Sequence, residues 1–245
     1  MSNLKFIDST IFIAGISKIM ESINDSIVNK NKKCITYFNA NSFNLNYNNP
    51  KLTKIFNQFD IIHPDGIGVY LASRFLCGKK GFTKRVTGSD LYIQLIEFAT
   101  INNWSFFIFG DTDATLKRIS ELHPKLKLVG IYDGFNYNND DLISAINNSN
   151  PDILIVGLGS PKQEDWIINY KNYINAKVII AVGDGIKIFA GTKKRGPKII
   201  QKIGLEWFVR FLYEPKRLWK RYFIGIPLFI FRVIKFKFSN YKNTK

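Results

Sequence analysis

The run His63-Pro64-Asp65-Gly66-Ile67-Gly68 places a carboxylate directly after the apolar pair Ile61-Ile62. An aspartate at such a strand exit can take the proton from an attacking hydroxyl. It can equally cap the helix that follows, and the local pattern alone favours the cap. His63 has no second histidine near it in sequence and reads as a packing residue. The stretch Gly157-Leu158-Gly159-Ser160-Pro161-Lys162-Gln163-Glu164-Asp165-Trp166 follows a short apolar run. Its glycines let a ligand approach the backbone, and a helix starting near Pro161 would offer free N–H groups to an anion. Lys162 adds charge, and Gln163 can hydrogen-bond a base or a sugar. A plain strand-to-helix turn capped by Ser160 explains the same spacing. Asp111-Thr112-Asp113 has the form of a divalent-metal motif, but its place after Gly110 and before a helix makes Asp113 a natural N-cap. Arg210, Arg217 and Arg221 would share one face of an unbroken helix, which Pro215 threatens to interrupt. Arginines beside aromatics suit a diphosphate, whose oxygens the planar fork binds in pairs.

These residues need elements to position them. Residues 34–38, 61–62, 105–109, 127–131, 153–156 and 178–182 are short runs rich in Ile, Val and Phe. They alternate with helical patterns near 51–59, 67–76 and 114–122. The alternation predicts βαβ units and a mostly parallel, Rossmann-like α/β sheet with flanking helices. Ligands of such sheets bind beyond the carboxyl ends of the strands. Gly110, Gly157, Gly159 and Gly183 all fall at those exits.

The 245 residues are 46% hydrophobic, enough for one sizeable core. Cys34 and Cys77 form no framework, so neither a disulfide scaffold nor a zinc site is expected, and a reducing compartment is the default. Met1 to Ile19 lacks a basic region followed by an apolar run and a cleavage site, so no secretory signal is expected. Of the net charge of +16, +13 falls on residues 193–245, where fifteen Lys and Arg face only Glu206 and Glu214. Residues 1–195 therefore read as a nearly neutral core domain and 196–245 as a basic, aromatic C-terminal helical appendage. The apolar stretch 223–231, interrupted by Gly225 and Pro227, is too short to span a bilayer. Its mixture of aromatics with Lys and Arg suits an anionic membrane interface. A basic helix packed on the body with a solvated face is the plainer alternative.

Taken together, the stretches resemble the bacterial WecG/TagA/CpsF glycosyltransferases, the N-acetylmannosaminyltransferase-like family. The resemblance is carried in order by Phe38-Asn39-Ala40, Pro64 to Gly68, Arg85-Val86-Thr87-Gly88-Ser89-Asp90-Leu91 and Asp133-Gly134-Phe135. It continues through Gly157 to Glu164, Arg195-Gly196-Pro197, Gly204-Leu205-Glu206-Trp207 and Glu214-Pro215-Lys216-Arg217.

The resemblance implies an inverting transfer from a UDP-sugar, often UDP-N-acetylmannosamine, to a polyprenyl-diphosphate-linked sugar. Teichoic acid, capsule or another surface polysaccharide would be the product, made at the cytoplasmic face of the cell membrane by a peripherally bound enzyme. Asp65 matches the family's base, which overturns the local preference for a cap. Thr36, Asn39 and Arg85 match pocket positions. The loop with Gly157, Gly159, Lys162, Gln163 and Glu164, flanked by Gly110 and Gly183, would hold the nucleotide. Arg210, Arg217 and Arg221 would clamp the lipid diphosphate or the leaving UDP. No cofactor and no metal are expected, cations and helix N-termini taking the metal's part. The sequence departs twice from the family pattern. Tyr37 stands where relatives often carry Thr, with Thr36 beside it, and Lys187 stands where they commonly carry Asp. A homo-oligomer is left open. Two rival classes have weaker support. A nucleic-acid-binding protein would use the basic aromatic tail but leaves the glycine-rich exits without a role. A nicotinamide oxidoreductase needs an early Gly-x-Gly-x-x-Gly, and Gly157-x-Gly159 lacks its third glycine.

Overall fold

The computed structural model describes residues 3–6, 9–12 and 15–242, with side chains at Ile11 and at 15–239. Strands β1 (Asn3–Phe6) and β2 (Ser9–Phe12) form an antiparallel ribbon. The remaining strands are β3 (Lys33–Phe38), β4 (Ile61–Pro64), β5 (Ser105–Gly110), β6 (Lys127–Tyr132), β7 (Ile153–Gly157) and β8 (Val178–Ala181). They build one parallel sheet in the order β4-β3-β8-β7-β5-β6.

Strand β5 shows why the central runs are apolar throughout. Successive side chains point to opposite faces: Phe107 and Phe109 enter one core, Phe106 and Ile108 the other. A parallel sheet covered by helices on both faces leaves a central strand such as β5 no position for water, while the edge strand β6 stays partly exposed. The first core receives Phe43, Phe56, Val69 and Trp166 from one helical layer, and the second receives Ile19, Leu95, Ile119 and Phe189 from the other.

The C-terminal segment is helical from Pro215 to Lys242, with one change of winding. The helix Glu206–Tyr213 ends before Pro215, the interruption the sequence suggests, and Pro215 begins the next helix, Pro215–Trp219, because a first-turn residue needs no intrahelical donor. Gly225 and Pro227, expected to interrupt the chain, lie in the first turn of the helix Gly225–Lys242. The π-helical turns of Lys220–Ile224 precede them, and Gly225 N–H bonds the Lys220 carbonyl five residues back. That local rewinding carries the axis past a proline that has no N–H to give. Phe229 and Val233 of this helix are each 4% exposed and belong to the first core. Phe229 meets Phe43 edge-on at 4.9 Å, while Arg232 Nη1 donates to both the backbone and side-chain oxygens of Asn44 at 3.0 Å. Among the described residues, no helix is long and apolar enough to cross a membrane.

Candidate active site

The exits of β4, β3 and β8, neighbours in the sheet, open into one cavity of about 570 Å³. Asp65 follows β4 directly, and its backbone N–H bonds the Phe38 carbonyl at 2.9 Å, tying the β4 exit to the β3 exit. Its side chain does not cap its own helix. Gly66 holds the cap position of Ile67–Cys77 with no side-chain bond. Instead Asp65 Oδ1 accepts the N–H of Gly88 at 2.8 Å, the first residue of the helix Gly88–Ile101. The carboxylate thus faces the positive end of another helix.

Asn39 supplies the second support. Its Oδ1 caps the helix Ala40–Asn46, accepting from Asn41 N at 3.0 Å and Ser42 N at 3.1 Å. That cap orients the amide, so Nδ2 points to Asp65 Oδ2 at 3.4 Å. Arg85 lines the same cavity and is held by the Gln201 carbonyl at 2.5 Å. Asp65 and Asn39, at the exits of β4 and β3, thus share one cavity with Arg85, which comes from the loop before the helix Gly88–Ile101.

A second wall is cationic, with Lys193 from the body and Arg210 and Arg221 from the C-terminal segment. Arg210 Nη2 bonds Asp184 Oδ2 at 2.5 Å, Arg217 Nη2 and Lys187 Nζ reach Asp184 Oδ1 at 3.4 Å, and Lys193 Nζ lies 4.0 Å away. Burial works to raise the Asp184 carboxyl, but Lys193, Arg210, Arg217 and Lys187 together hold it below the usual carboxylate range. Burial and the neighbouring Arg210 push the Lys193 ammonium down to about 8, against the pull of Asp184. Arg195 bridges Asp90 at 2.6 Å and Glu206 at 2.9 Å. Arg210, Arg221, Lys193 and Trp207 line the cavity. The break at Pro215 does not separate Arg210 from Arg217: the helix Pro215–Trp219 brings Arg217 to the carboxylate that Arg210, on the helix Glu206–Tyr213, already holds.

The loop 157–164 has a different setting. Gln163 and Glu164 are fully buried. Gln163 Oε1 accepts Gly183 N–H at 2.8 Å, and its Nε2 donates to Glu164 Oε1 at 2.8 Å. Thr36, also fully buried, donates to the same Glu164 oxygen at 2.9 Å. Burial raises the Glu164 carboxyl above its ordinary value, against the hydrogen bonds from Gln163 and Thr36 that lower it. This polar knot braces the loop that carries Asp184. Gly110 and Gly157 serve close packing: a Cβ on Gly110 would lie 2.7 Å from the Gly157 backbone, and one on Gly157 would lie 2.0 Å from Ile186 Cδ1. Lys162 is exposed, 5.0 Å over the Tyr137 ring, and Gly159 borders open space. Neither Gly110, Gly157, Gly159, Lys162, Gln163 nor Glu164 lines the cavity, which takes Val182, Asp184 and Gly185 from either side of Gly183. The helix beyond this loop starts at Lys162 with Pro161 in the cap position, so Ser160 makes no cap.

A further local reading is corrected. Thr112, not Asp113, is the N-cap of Asp113–Leu122: its hydroxyl accepts Thr115 N–H, leaving Asp113 in the first turn, paired with Lys117 at 2.6 Å. Lys187 joins the cluster around Asp184 and lies 4.0 Å from Glu214, adding a cation where a carboxylate is common in the family pattern. His63 is buried as expected, its Nδ1 on the Pro64 carbonyl at 3.1 Å, and burial lowers its pKa toward the neutral ring. Sequence reasoning missed Asp184, Lys193 and Tyr92 as cavity residues. Asp184 carried a usable signal, an acidic residue just past β8 and before a glycine, as Asp65 stands just past β4 and before Gly66.

A carboxylate fixed at parallel-strand exits, facing a wall of arginine and lysine across a cavity, defines an enzyme site that pairs a base with a place for anionic groups. The sequence profile described as "Glycosyl transferase WecG/TagA/CpsF family" matches residues 5–243. The chain belongs to this glycosyltransferase family. It is similar to the N-acetylglucosaminyldiphosphoundecaprenol N-acetyl-beta-D-mannosaminyltransferase of Staphylococcus aureus strain MRSA252, at 29% identity over 90% of this chain and 87% of the relative. The proteins of the same description from strains NCTC 8325 and COL are 28% identical over the same shares.

Proposed function

We propose that this glycosyltransferase moves a sugar, N-acetylmannosamine or a related hexose, from a UDP-sugar to a polyprenyl-diphosphate-linked sugar at a membrane surface. The observation that carries the reading is the Asp65 carboxylate, held by Gly88 N–H at 2.8 Å and Asn39 at 3.4 Å in a cavity rimmed by Arg85, Arg210 and Arg221. The acceptor hydroxyl donates its hydrogen bond to Asp65. As that oxygen attacks the anomeric carbon, its proton passes to Asp65 and the bond from that carbon to the UDP oxygen breaks. A single displacement inverts the anomeric centre. The departing diphosphate gains negative charge, which preorganised Arg210, Arg217, Arg221 and Lys193 stabilise. We assign this charge neutralisation to the side chains rather than to a divalent metal. The names of the Staphylococcus aureus relatives support the lipid-linked acceptor. The uncovered aromatics Phe208, Trp219 and Phe223 among lysines and arginines support peripheral attachment to an anionic bilayer.

The test is UDP release by purified protein given polyprenyl-diphosphate-GlcNAc and a panel of UDP-sugars, with EDTA throughout. Acceptor-dependent release with one donor is the expected result. Release that needs added manganese would remove the metal-independent step, and silence with every donor would remove the reading.

A further inference from the structure

The cavity changes character along its length. Beyond Asp65 it continues between two helices, Ile67–Cys77 and Gly225–Lys242. Leu71 and Phe75 line it from the first, and Ile226, Ile230 and Ile234 from the second. Each set repeats at four-residue spacing and so forms a stripe on one helix face. Leu71 is 56% exposed, Ile230 50% and Ile234 42%, large apolar side chains left facing an open groove, while the Phe75 ring at its end lies under Lys237 Nζ at 3.9 Å.

The groove is held open by the fold. Phe229 and Val233 anchor the last helix in the core, and Arg232 clips it to Asn44. Phe229 lies 3.6 Å from the Cβ position of Gly68 at one end, and Lys237 Nζ bonds the Phe75 carbonyl at 2.8 Å at the other. The two helices therefore run side by side in the same direction, starting at the Asp65 end. From Gly66 to Phe75 the channel is about 13 Å long at 1.5 Å per helical residue.

We infer that this groove binds the first isoprene units of the lipid-linked acceptor, so that the lipid is read by the protein and not only by the membrane. The inference rests on the proposed transfer reaction. One continuous cavity that is cationic around Arg221, Arg210 and Lys193 and apolar along Leu71, Phe75, Ile230 and Ile234 matches one amphiphile, an anionic diphosphate joined to an unsaturated hydrocarbon. A bilayer could cover a convex apolar face, but it does not enter a channel that leads to a carboxylate. Exposed apolar side chains gathered in a concave strip mark a ligand groove.

The experiment compares water-soluble acceptors, GlcNAc-diphosphate carrying one, two or three isoprene units, without detergent or vesicles. Wild-type kcat/KM should rise about tenfold or more from one unit to three, since each buried carbon adds measurably to affinity. In Leu71→Gln/Ile230→Gln the ratio between long and short acceptors should fall toward one, and Leu71→Met should keep it. A ratio taken within each variant is insensitive to a partly unfolded preparation. A wild-type ratio near one, or a ratio that survives the glutamines, overturns the groove while leaving the transferase reading intact. If no acceptor is turned over, calorimetry with farnesyl diphosphate decides. Binding that the glutamine pair abolishes upholds the groove and sinks the transferase reading, and no binding overturns the groove as well.

Discussion

Arg210 and Asp184 meet at 2.5 Å, joining the C-terminal segment to the loop after β8 across the rim of the cavity. Three more cations surround the same carboxylate, Arg217, Lys187 and Lys193. Asp184→Asn removes the negative charge that these four share and leaves them to repel one another. We expect a loss of about 2 kcal/mol at pH 7, the scale on which breaking partly buried pairs is felt. The carboxyl is depressed in the folded state. Its contribution is therefore present above the unfolded carboxylate value and disappears as pH falls through the folded one. Urea titrations of both proteins should converge in strong acid; a constant difference down to that range would contradict the assignment.

Asp65→Asn keeps an oxygen for the Gly88 N–H but cannot take a proton. Turnover should fall by about 10²–10⁴, the usual contribution of general base catalysis. Affinity for UDP, measured by calorimetry, should stay within a few-fold. Full activity in this variant would remove the base from the mechanism.

Lys193 links activity and stability in opposite senses. Its folded value of about 8 lies below the ordinary lysine value, so between the two the unfolded chain holds the extra proton. Stability should rise with pH from about 8 to about 10, while turnover falls as the cation beside the diphosphate is lost. Lys193→Arg should move the alkaline limb of the rate profile out of range, and Lys193→Met should flatten the stability rise. A rate profile whose alkaline limb ignores both changes would show that Lys193 has no part in the transfer.

Membrane attachment is best tested without cutting the chain, because Phe229 and Val233 are core residues and truncation after Arg195 would open the body. Trp219 and Phe223 are 45% and 65% exposed and carry no such burden. Trp219→Ser/Phe223→Ser should weaken sedimentation with anionic vesicles about tenfold or more, and salt should weaken it further as surface charges are screened. Binding to neutral vesicles of equal strength would point away from an electrostatic component.

Much of the architecture was legible in the residues. Short β-rich runs that are apolar at every position, such as 105–109 and 153–156, dictate buried parallel strands, and their boundaries hold within a residue or two. Asp65 was legible as special from its place after such a run, and local pattern could name the cap as one role. It could not show that the carboxylate instead accepts the first N–H of a distant helix, the one beginning at Gly88.

The remainder depended on which surfaces dock. The loop 157–164 looks ligand-facing in sequence, yet Gln163 and Glu164 turn inward because Thr36 and Gly183 offer partners that lie far away along the chain. The basic tail reads as a separate appendage by charge, since charge patterning carries no information about where a helix packs. The sequence by itself determined the strands, their exits and the charge of the tail, all of which follow from neighbours within a turn or two. Only the tertiary structure decided that Phe229 anchors the tail in the core, that Arg210 faces Asp184, and that an apolar groove runs on from Asp65, because each depends on contacts between segments that no local periodicity relates.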